Sequence, residues 1–310
     1  MLDEYLQQAQ RFIRDQQERL VNIEDLVVYT NKARKEVAMR TQSIRVLSPI
    51  SGTITGFQIV NPGSGYTNPV VIITPPDAPS GMLPNPGGLQ ALATAQVTGG
   101  QITGLTIVNA GDGYFLPEVA IVDPTGTGAI VLATVSPLMV TRGQQEVYPF
   151  TAVPLANFPG VKEVYAAKSI SFIYANYRYS VPVYPFSWYQ SYVRIYPQQY
   201  LYVPTVAAQY GQGVNGSIYM YPIPSFIYQC EIDCFCLPFD LETDTDYEAI
   251  PMPWTQCVPF YAAHLAFLEL QNLNSATFYL NLYDQMVHRY SAYARPGRMT
   301  NPYGRGYGFI

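Results

Sequence analysis

A tandem repeat constrains this chain more than any other feature. Residues 52–73 read GTITGFQIVNPGSGYTNPVVII, and from Gly100 the chain reads GQITGLTIVNAGDGYFLPEVAIV. At an offset of 48 residues the identities include Gly52/Gly100, Ile54/Ile102, Thr55/Thr103, Gly56/Gly104, Ile59/Ile107, Val60/Val108, Asn61/Asn109, Gly63/Gly111, Gly65/Gly113, Tyr66/Tyr114 and Pro69/Pro117. Each copy reads as a strand (TGFQIV, TGLTIV), a turn (NPGSGY, NAGDGY) and a second strand (PVVII, PEVAIV). Asn and Gly tolerate positive φ. The turn residues are therefore Asn61, Gly63, Gly65 and Tyr66, with Asn109, Gly111, Gly113 and Tyr114. ALATAQV at 91–97 and AIVLATV at 129–135 read as the strands that follow each copy. Between Arg45 and Arg142 there is no Lys or Arg, and Gly, Pro, Thr, Val and Ile dominate. The pattern predicts an all-β domain over 43–140, either one small sandwich or a pair of packed sheets.

The flanking segments read differently. Residues 1–42 hold no Pro or Gly, and apolar residues recur at steps of three and four: Leu2, Leu6, Ala9 and Phe12/Ile13, then Ile23, Leu26/Val27, Thr30, Ala33 and Val37. That is one face of each of two helices, with a break near Leu20–Asn22. Asn22, followed by Glu24 and Asp25, is an N-cap signal for the second. Residues 142–238 are rich in Tyr and Pro, with strands expected at 163–175, 180–184 and 191–196. GSIYMYPIPSFIYQCEIDCFCLPF reads as a hairpin, Ile218 and Met220 on one face and Tyr219 and Tyr221 on the other. Alternation then resumes through Tyr228, Cys230, Ile232, Cys234 and Cys236. Helix returns over 254–294. Its apolar series runs Phe260, Ala263, His264, Phe267, Leu268 and Leu270, breaks at Asn272–Ser275, and resumes at Phe278, Leu282, Gln285/Met286, Arg289 and Tyr293. Pro296 and Gly297 stop it. The expected class is α+β: a helical bundle from both chain ends packed on a Tyr/Pro-rich antiparallel sheet. Its domains are 1–42 (N-terminal helices), 43–140 (the inserted repeat domain), 141–294 (sheet and C-terminal helices) and a tail, 295–310.

Composition narrows the function. Charged residues make up 13% of the 310 and the net charge is −5, which lacks the basic face that nucleic-acid binding requires. No apolar run is long enough to span a membrane, and the N-terminus lacks an apolar signal-peptide core. Four cysteines are too few for a disulfide scaffold. The 27 tyrosines suit half-buried contact surfaces.

Candidate chemistry is sparse. Cys230, Cys234 and Cys236 share a strand face, but the first two stand roughly 13 Å apart along an extended strand, too far to hold one ion. They and Cys257 read as buried apolar thiols. Asp240, Glu242, Asp244, Asp246 and Glu248 alternate in DLETDTDYE. A calcium loop of the EF-hand type would need Gly where Thr245 stands and Glu where Pro251 stands. A helix cap or solvated turn fits better. His264 and His288 fall on apolar helix stripes, and no nucleophile elbow or zinc-protease motif is present. Paired carboxylates of a glycan hydrolase are spatial and have no sequence signature. GSGY and GDGY lie between strands, not at a helix start, so they are poor phosphate loops.

The chain also resembles a known family. EDLVVYTNKARKEVAMR at 24–40, with Asn31, Ala33 and Val37 at its centre, resembles the second N-terminal helix of phage head-to-tail adaptor proteins. Residues 211–266 resemble that family's later pattern of a G-x-I-x-x-Y-P-x-P hairpin, an acidic turn, an I-P pair and a long helix. Gly216, Ile218, Tyr221, Pro222, Pro224, Ile250, Pro251, Val258, Pro259 and Ala262–Ala263 carry this likeness. The family includes the tubular tail proteins (connectors) of short-tailed phages, which form generally twelve-fold rings between portal and tail nozzle. The resemblance covers about two thirds of the chain and leaves out the repeat. It implies a structural virion protein of the phage neck, assembled in the host cytoplasm, with no catalysis and no cofactor. Its implied partners are further copies of itself, the portal, the nozzle and passing DNA that is not read by sequence. The repeat would decorate the outside and meet tail fibres or the capsid. Arg295, Arg298, Tyr303, Arg305 and Tyr307 of the tail are the candidate portal anchors. Two rivals stand beside this reading: a glycan or fibre attachment module built on the repeat, and a virion-associated glycan hydrolase.

Overall fold

The computed structural model describes residues 1–15, 20–77, 88–174, 177–193 and 201–294. The chain begins with helices α1 (Leu2–Ile13) and α2 (Ile23–Thr41), then β1 (Arg45–Leu47). The repeat region supplies β2 (Ile54–Ser64), β3 (Val70–Ile73), β4 (Leu92–Thr98), β5 (Gln101–Asn109), β6 (Glu118–Val122) and β7 (Thr127–Val135). There follow β8 (Val147–Pro149), β9 (Val161–Tyr174), β10 (Tyr177–Val181), β11 (Val183–Pro185), α3 (Phe186–Tyr192), β12 (Leu201–Tyr202) and β13 (Val206–Tyr210). The last elements are β14 (Ser217–Tyr221), β15 (Ile223–Pro224), β16 (Gln229–Pro238), α4 (Val258–Glu269) and α5 (Leu273–Ala294). The class is mixed α+β, with antiparallel pairings predominating. The chain forms two compact units. The first comprises Met1–Arg45, Phe158–Lys162 and Phe235 onward; the second comprises Val46–Asn157 and Glu163–Cys234.

In the first unit, helices from both chain ends pack together: α1 and α2 lie against α4, and α4 against α5. α1 buries Leu2, Tyr5, Leu6, Ala9 and Ile13, the expected stripe with Tyr5 added. It stops at Arg14, whose φ of 60° is left-handed. The Asp15 carboxylate then accepts the backbone N–H groups of Leu20 and Val21. Asn22 caps α2, accepting from the Glu24 N–H. α2 buries Leu26, Thr30, Ala33 and Val37, and also Asn31 and Arg34, while Ile23 is exposed. Pro259 stands in the first turn of α4, where a missing N–H costs no helical bond. Ala262, Ala263 and Ala266 are buried there, so neighbouring helices approach closely. Gln271 at φ 56° ends that run, and the Asn272 side chain accepts the Ser275 N–H to start α5. The stripe expected on α5 is corrected. Ala276, Tyr283 and Val287 are buried, whereas Phe278 and Arg289 are exposed. Aromatic residues occur all round this helix, so hydrophobicity alone does not fix its inward face.

The second unit contains the repeat and most of three further sheets, one of them two-stranded. β14 pairs antiparallel with both β13 and β8, in the order β11-β13-β14-β8. β16 lies in a different sheet, of order β1-β16-β9-β10. The expected β14–β16 hairpin is therefore corrected. Alternation placed the faces correctly, with Ile218, Met220, Cys230, Ile232, Cys234 and Cys236 all buried. It does not choose partners, and Pro222 and Pro224 cannot donate to a continuing ladder. β15, which lies between β14 and β16 in the chain, pairs instead with β12. The strand expected from residue 191 is also corrected: Ser191 and Tyr192 end α3. There Trp188 and Tyr192, four residues apart, stack at 5.4 Å, a helical rather than an extended spacing.

Candidate functional site

The two copies of the repeat interlock. The first strand of each copy pairs with the last strand of the other: β2 with β7, and β4 with β5. β3 pairs antiparallel with β6, and Ile72 sits opposite Ala120, its own equivalent at an offset of 48. A local two-fold axis therefore runs through that pair. The irregularities repeat as well, between Ile54 and Gly56 and between Ile59 and Asn61 in β2, and at the same places in β5. Gly56 pairs with Thr134 and its equivalent Gly104 with Gln96, so β4 and β7 are related by a smaller offset than the rest. The extra residues lie in the connection between β3 and β4, where 78–87 fall outside the described residues. β3 lies beside β4 and β2 beside β5, so the two sheets close on each other. The enclosed core is Ile54, Ile73, Ala91 and Tyr114, with Phe57, Val71, Ile107, Val119 and Val135 packed on it.

The predicted turn residues build the crossover. Asn61 Oδ1 accepts the Gly63 N–H at 3.0 Å, and Asn109 Oδ1 accepts the Gly111 N–H at 3.0 Å. β2 runs on to Ser64, so Asn61 and Gly63 lie at the end of a strand, not in a free turn. Gly63 and Gly111 have φ of 63° and 67°. A Cβ on either would lie 2.7 Å from a Tyr66 or Tyr114 ring carbon. The Tyr66 hydroxyl accepts the Ala129 N–H at 3.0 Å, and the Tyr114 hydroxyl the Ala91 N–H at 2.8 Å. Each tyrosine thus binds the partner copy. Gly52 and Tyr114 exchange two backbone bonds at 2.9 Å, and the Tyr66 N–H reaches the Gly100 carbonyl at 3.0 Å. Two aspartates absent from the list of identities complete the exchange. Asp123 accepts from the Thr67 and Asn68 N–H groups, and Asp77 from those of Phe115 and Leu116. The Thr125 hydroxyl, then backbone N–H groups, hold the Asp123 carboxyl well below the usual range. Gly65 and Gly113 also lie at positive φ. Every repeat-turn residue therefore has a role in the fold.

The outer surface of the same strands is unusually apolar. Val60, Val70, Ile72, Leu92, Val108, Val122, Ile130 and Leu132 are each more than half exposed. Val60 and Val108 are equivalents, as are Ile130 and Leu92, so the repeat reproduces this apolar surface although its own core does not need it. Six of these residues, Val60, Ile130, Leu132, Val122, Val70 and Ile72, lie on neighbouring strands of one sheet, and exposed apolar residues grouped in this way mark a site of interaction.

The first unit holds a buried polar hub that sequence reasoning missed. Arg34 is fully buried. It donates to Glu248 through Nε at 2.9 Å and Nη2 at 2.8 Å, to Asn31 Oδ1 at 3.1 Å and to the Phe239 carbonyl at 2.7 Å. The Tyr5 hydroxyl donates to Glu248 at 3.0 Å, and burial pushes the Tyr5 phenol up. Asn31 holds both the N–H and the carbonyl of Leu241. The only available sequence signal was three polar residues, Thr30, Asn31 and Arg34, on the stripe of Ala33 and Val37.

The acidic stretch divides among separate partners. Asp240 pairs with Lys35 at 2.6 Å, Asp244 with the Met1 ammonium and Glu248 with Arg34. Asp246 accepts the Glu242 and Thr243 N–H groups, closing a turn. Glu248 is thus a buried ion-pair partner and not part of a solvated turn. The four cysteines are buried, and none forms a disulfide among the described residues. Burial pushes the Cys230 thiol up, and that of Cys257 up to about 12. Half-buried His264 donates from Nδ1 to the Ala276 carbonyl at 2.9 Å. His288 is exposed, which corrects its expected place on the apolar stripe. Among the described residues no group of three or more His, Cys, Asp or Glu is placed to hold a metal ion. No described helix is long and apolar enough to cross a membrane. Arg295, Arg298, Tyr303, Arg305 and Tyr307 lie outside the described residues.

A groove of about 570 Å³ opens in the first unit, lined by Met1, Glu4, Tyr5, Gln8 and Phe12 of the N-terminal segment, by Met252, Thr255 and Gln256, and by Phe260 of α4 and Met286 of α5. No protein-family model matches the chain, and neither does any curated protein.

Proposed function

We propose that this chain is the subunit of a head-to-tail adaptor ring in a short-tailed phage, a structural protein between portal and tail nozzle that helps to line the DNA ejection channel. The observation that carries this reading is the helical body built from both chain ends. α4 begins at Val258 and Pro259, and its Ala262 and Ala263 are buried where α1 and α2 pack. These are residues on which the likeness to adaptor proteins rests. A ring of about twelve copies, as the resemblance implies, needs surfaces for two neighbours and two axial partners. The tyrosine excess suits such surfaces, and a net charge of −5 keeps passing DNA from adhering. The apolar outer surface of the repeat is the natural contact for tail fibres or capsid. Arg295, Arg298, Tyr303, Arg305 and Tyr307 are assigned to the portal.

The apolar repeat surface also favours a second reading, an attachment module. That module would bind a protein rather than a glycan, because Tyr66 and Tyr114 are buried and cannot stack on a sugar. Electron microscopy with mass measurement separates the two, using the purified chain alone and mixed with portal protein. Rings, or portal complexes formed on mixing, are expected of an adaptor. A chain that stays monomeric and ignores the portal would overturn the adaptor reading and leave the attachment module.

A further inference from the structure

The groove in the first unit has an unusual lining. Met1, Met252 and Met286 supply flexible, polarizable side chains, and Phe12 and Phe260 stack on each other at 4.9 Å beside them. Methionine-rich surfaces adapt to aromatic guests. Apart from the N-terminal ammonium, which is paired with Asp244, the lining carries one formal charge, Glu4. It therefore suits a guest with aromatic rings and positive charge.

Such a segment follows α5 in the sequence. α5 lines the groove through Met286, and one turn later the Tyr290 hydroxyl donates to Gln256, another lining residue. The Trp254 and Tyr290 rings meet edge to face at 6.3 Å. α5 ends at Ala294, about 6 Å of helical rise beyond Tyr290. The remaining sequence is RPGRMTNPYGRGYGFI. It contains Arg295, Arg298 and Arg305, the rings of Tyr303, Tyr307 and Phe309, and no acidic residue. Fully extended, these residues would reach roughly 50 Å, far more than a return to the groove requires. A tether this short sets an effective concentration on the order of millimolar, so weak contacts suffice.

We propose that the segment Arg295–Ile310 docks in cis into the groove between α1, α4 and α5 of its own chain. Its aromatic rings sit against Met1, Met252, Met286 and Phe260, and its arginines lie towards Glu4. This goes beyond the adaptor reading and does not depend on it. If both hold, a portal that takes the tail must first draw it out of the groove.

The test is native-state cleavage by chymotrypsin, following the cuts after Tyr303 and Tyr307 by mass spectrometry. It compares the full chain with Gln8→Trp, which fills the groove. It also compares Arg295→Glu/Arg298→Glu/Arg305→Glu, which reverses the tail's charge. When closing is fast, cleavage tracks the open population, so the full chain should be cut at least about tenfold more slowly than either variant. The rate should be independent of protein concentration. Equal rates in all three chains would overturn the proposal. Protection that grows with concentration would overturn it too, by assigning the tail to a neighbouring copy. Should Gln8→Trp fail to fold, the charge-reversed tail leaves the helical body untouched and decides the question.

Discussion

Arg34 shows how strongly one residue can tie distant sequence together. Its guanidinium is fully buried against a Glu248 that is 5% exposed, and Asn31 and the Phe239 carbonyl take its Nη1 donors. A buried pair of this kind contributes little compared with a well-packed apolar pair, but breaking it leaves a charge unpaired. Arg34→Met should therefore cost about 3–5 kcal/mol in chemical denaturation. Adding Glu248→Leu to that variant should restore much of the loss. An unchanged midpoint in Arg34→Met would show that Glu248 finds another partner. Asp123 acts differently. Its pKa is lowered in the folded state, chiefly by the Thr125 hydroxyl. Its contribution is complete above the unfolded carboxylate pKa of about 3.9 and is lost as pH falls below that value towards the lowered native one. Asp123→Asn should therefore remove acid sensitivity of the Thr67–Asn68 loop. Amide exchange at those two residues, compared at pH 6 and pH 3, reads this directly.

At the scale of elements, the two copies of the repeat share one core and carry matching exposed apolar positions. Val60, Ile130, Leu92 and Val108 are exposed and make no contribution to the enclosed core. Val60→Lys together with Ile130→Lys should change stability by no more than about 0.5 kcal/mol per site, as surface substitutions do. Under the adaptor proposal, the same pair should abolish binding of the tail-fibre or capsid protein assigned to the repeat. A pull-down from assembled particles with the folded variant checks this, and retained binding would move the contact elsewhere. These elements were largely legible in the sequence, because Asn61, Gly63, Gly65 and Tyr66 encode local backbone geometry and the second copy confirmed each of them. The crossing of β2 to β7 was not legible, since alternation fixes a strand's face and leaves its partner open. The same limit hid the separation of β14 from β16. Arg34 and Glu248 were hidden for a simpler reason: their partnership spans most of the chain and leaves no periodic trace. On α5, Phe278 misled because a ring on an exposed face looks like a ring in a core.

At the scale of the whole molecule, the repeat has the features of an insertion. The Ser136 N–H donates to the Thr53 carbonyl at 2.9 Å, and the Thr53 N–H to the Ser136 hydroxyl at 3.2 Å. The chain therefore enters and leaves the repeat at neighbouring positions, about 5 Å apart as paired backbones are. All residues of the enclosed core fall between Ile54 and Val135, so removing that segment exposes no half of a shared core. Domains inserted in this way are commonly separable. A chain in which Thr53 is joined to Ser136 through two glycines should keep its helical circular dichroism and unfold cooperatively. It should also aggregate less, because the apolar outer surface leaves with the repeat. Under the adaptor proposal the shortened chain still forms rings and still engages the portal, while contact with fibres or capsid is lost. Loss of portal binding in a folded, shortened chain would place the repeat at the assembly interface. Loss of folding would show that β2 through β7 support the rest of the second unit, despite their self-contained core.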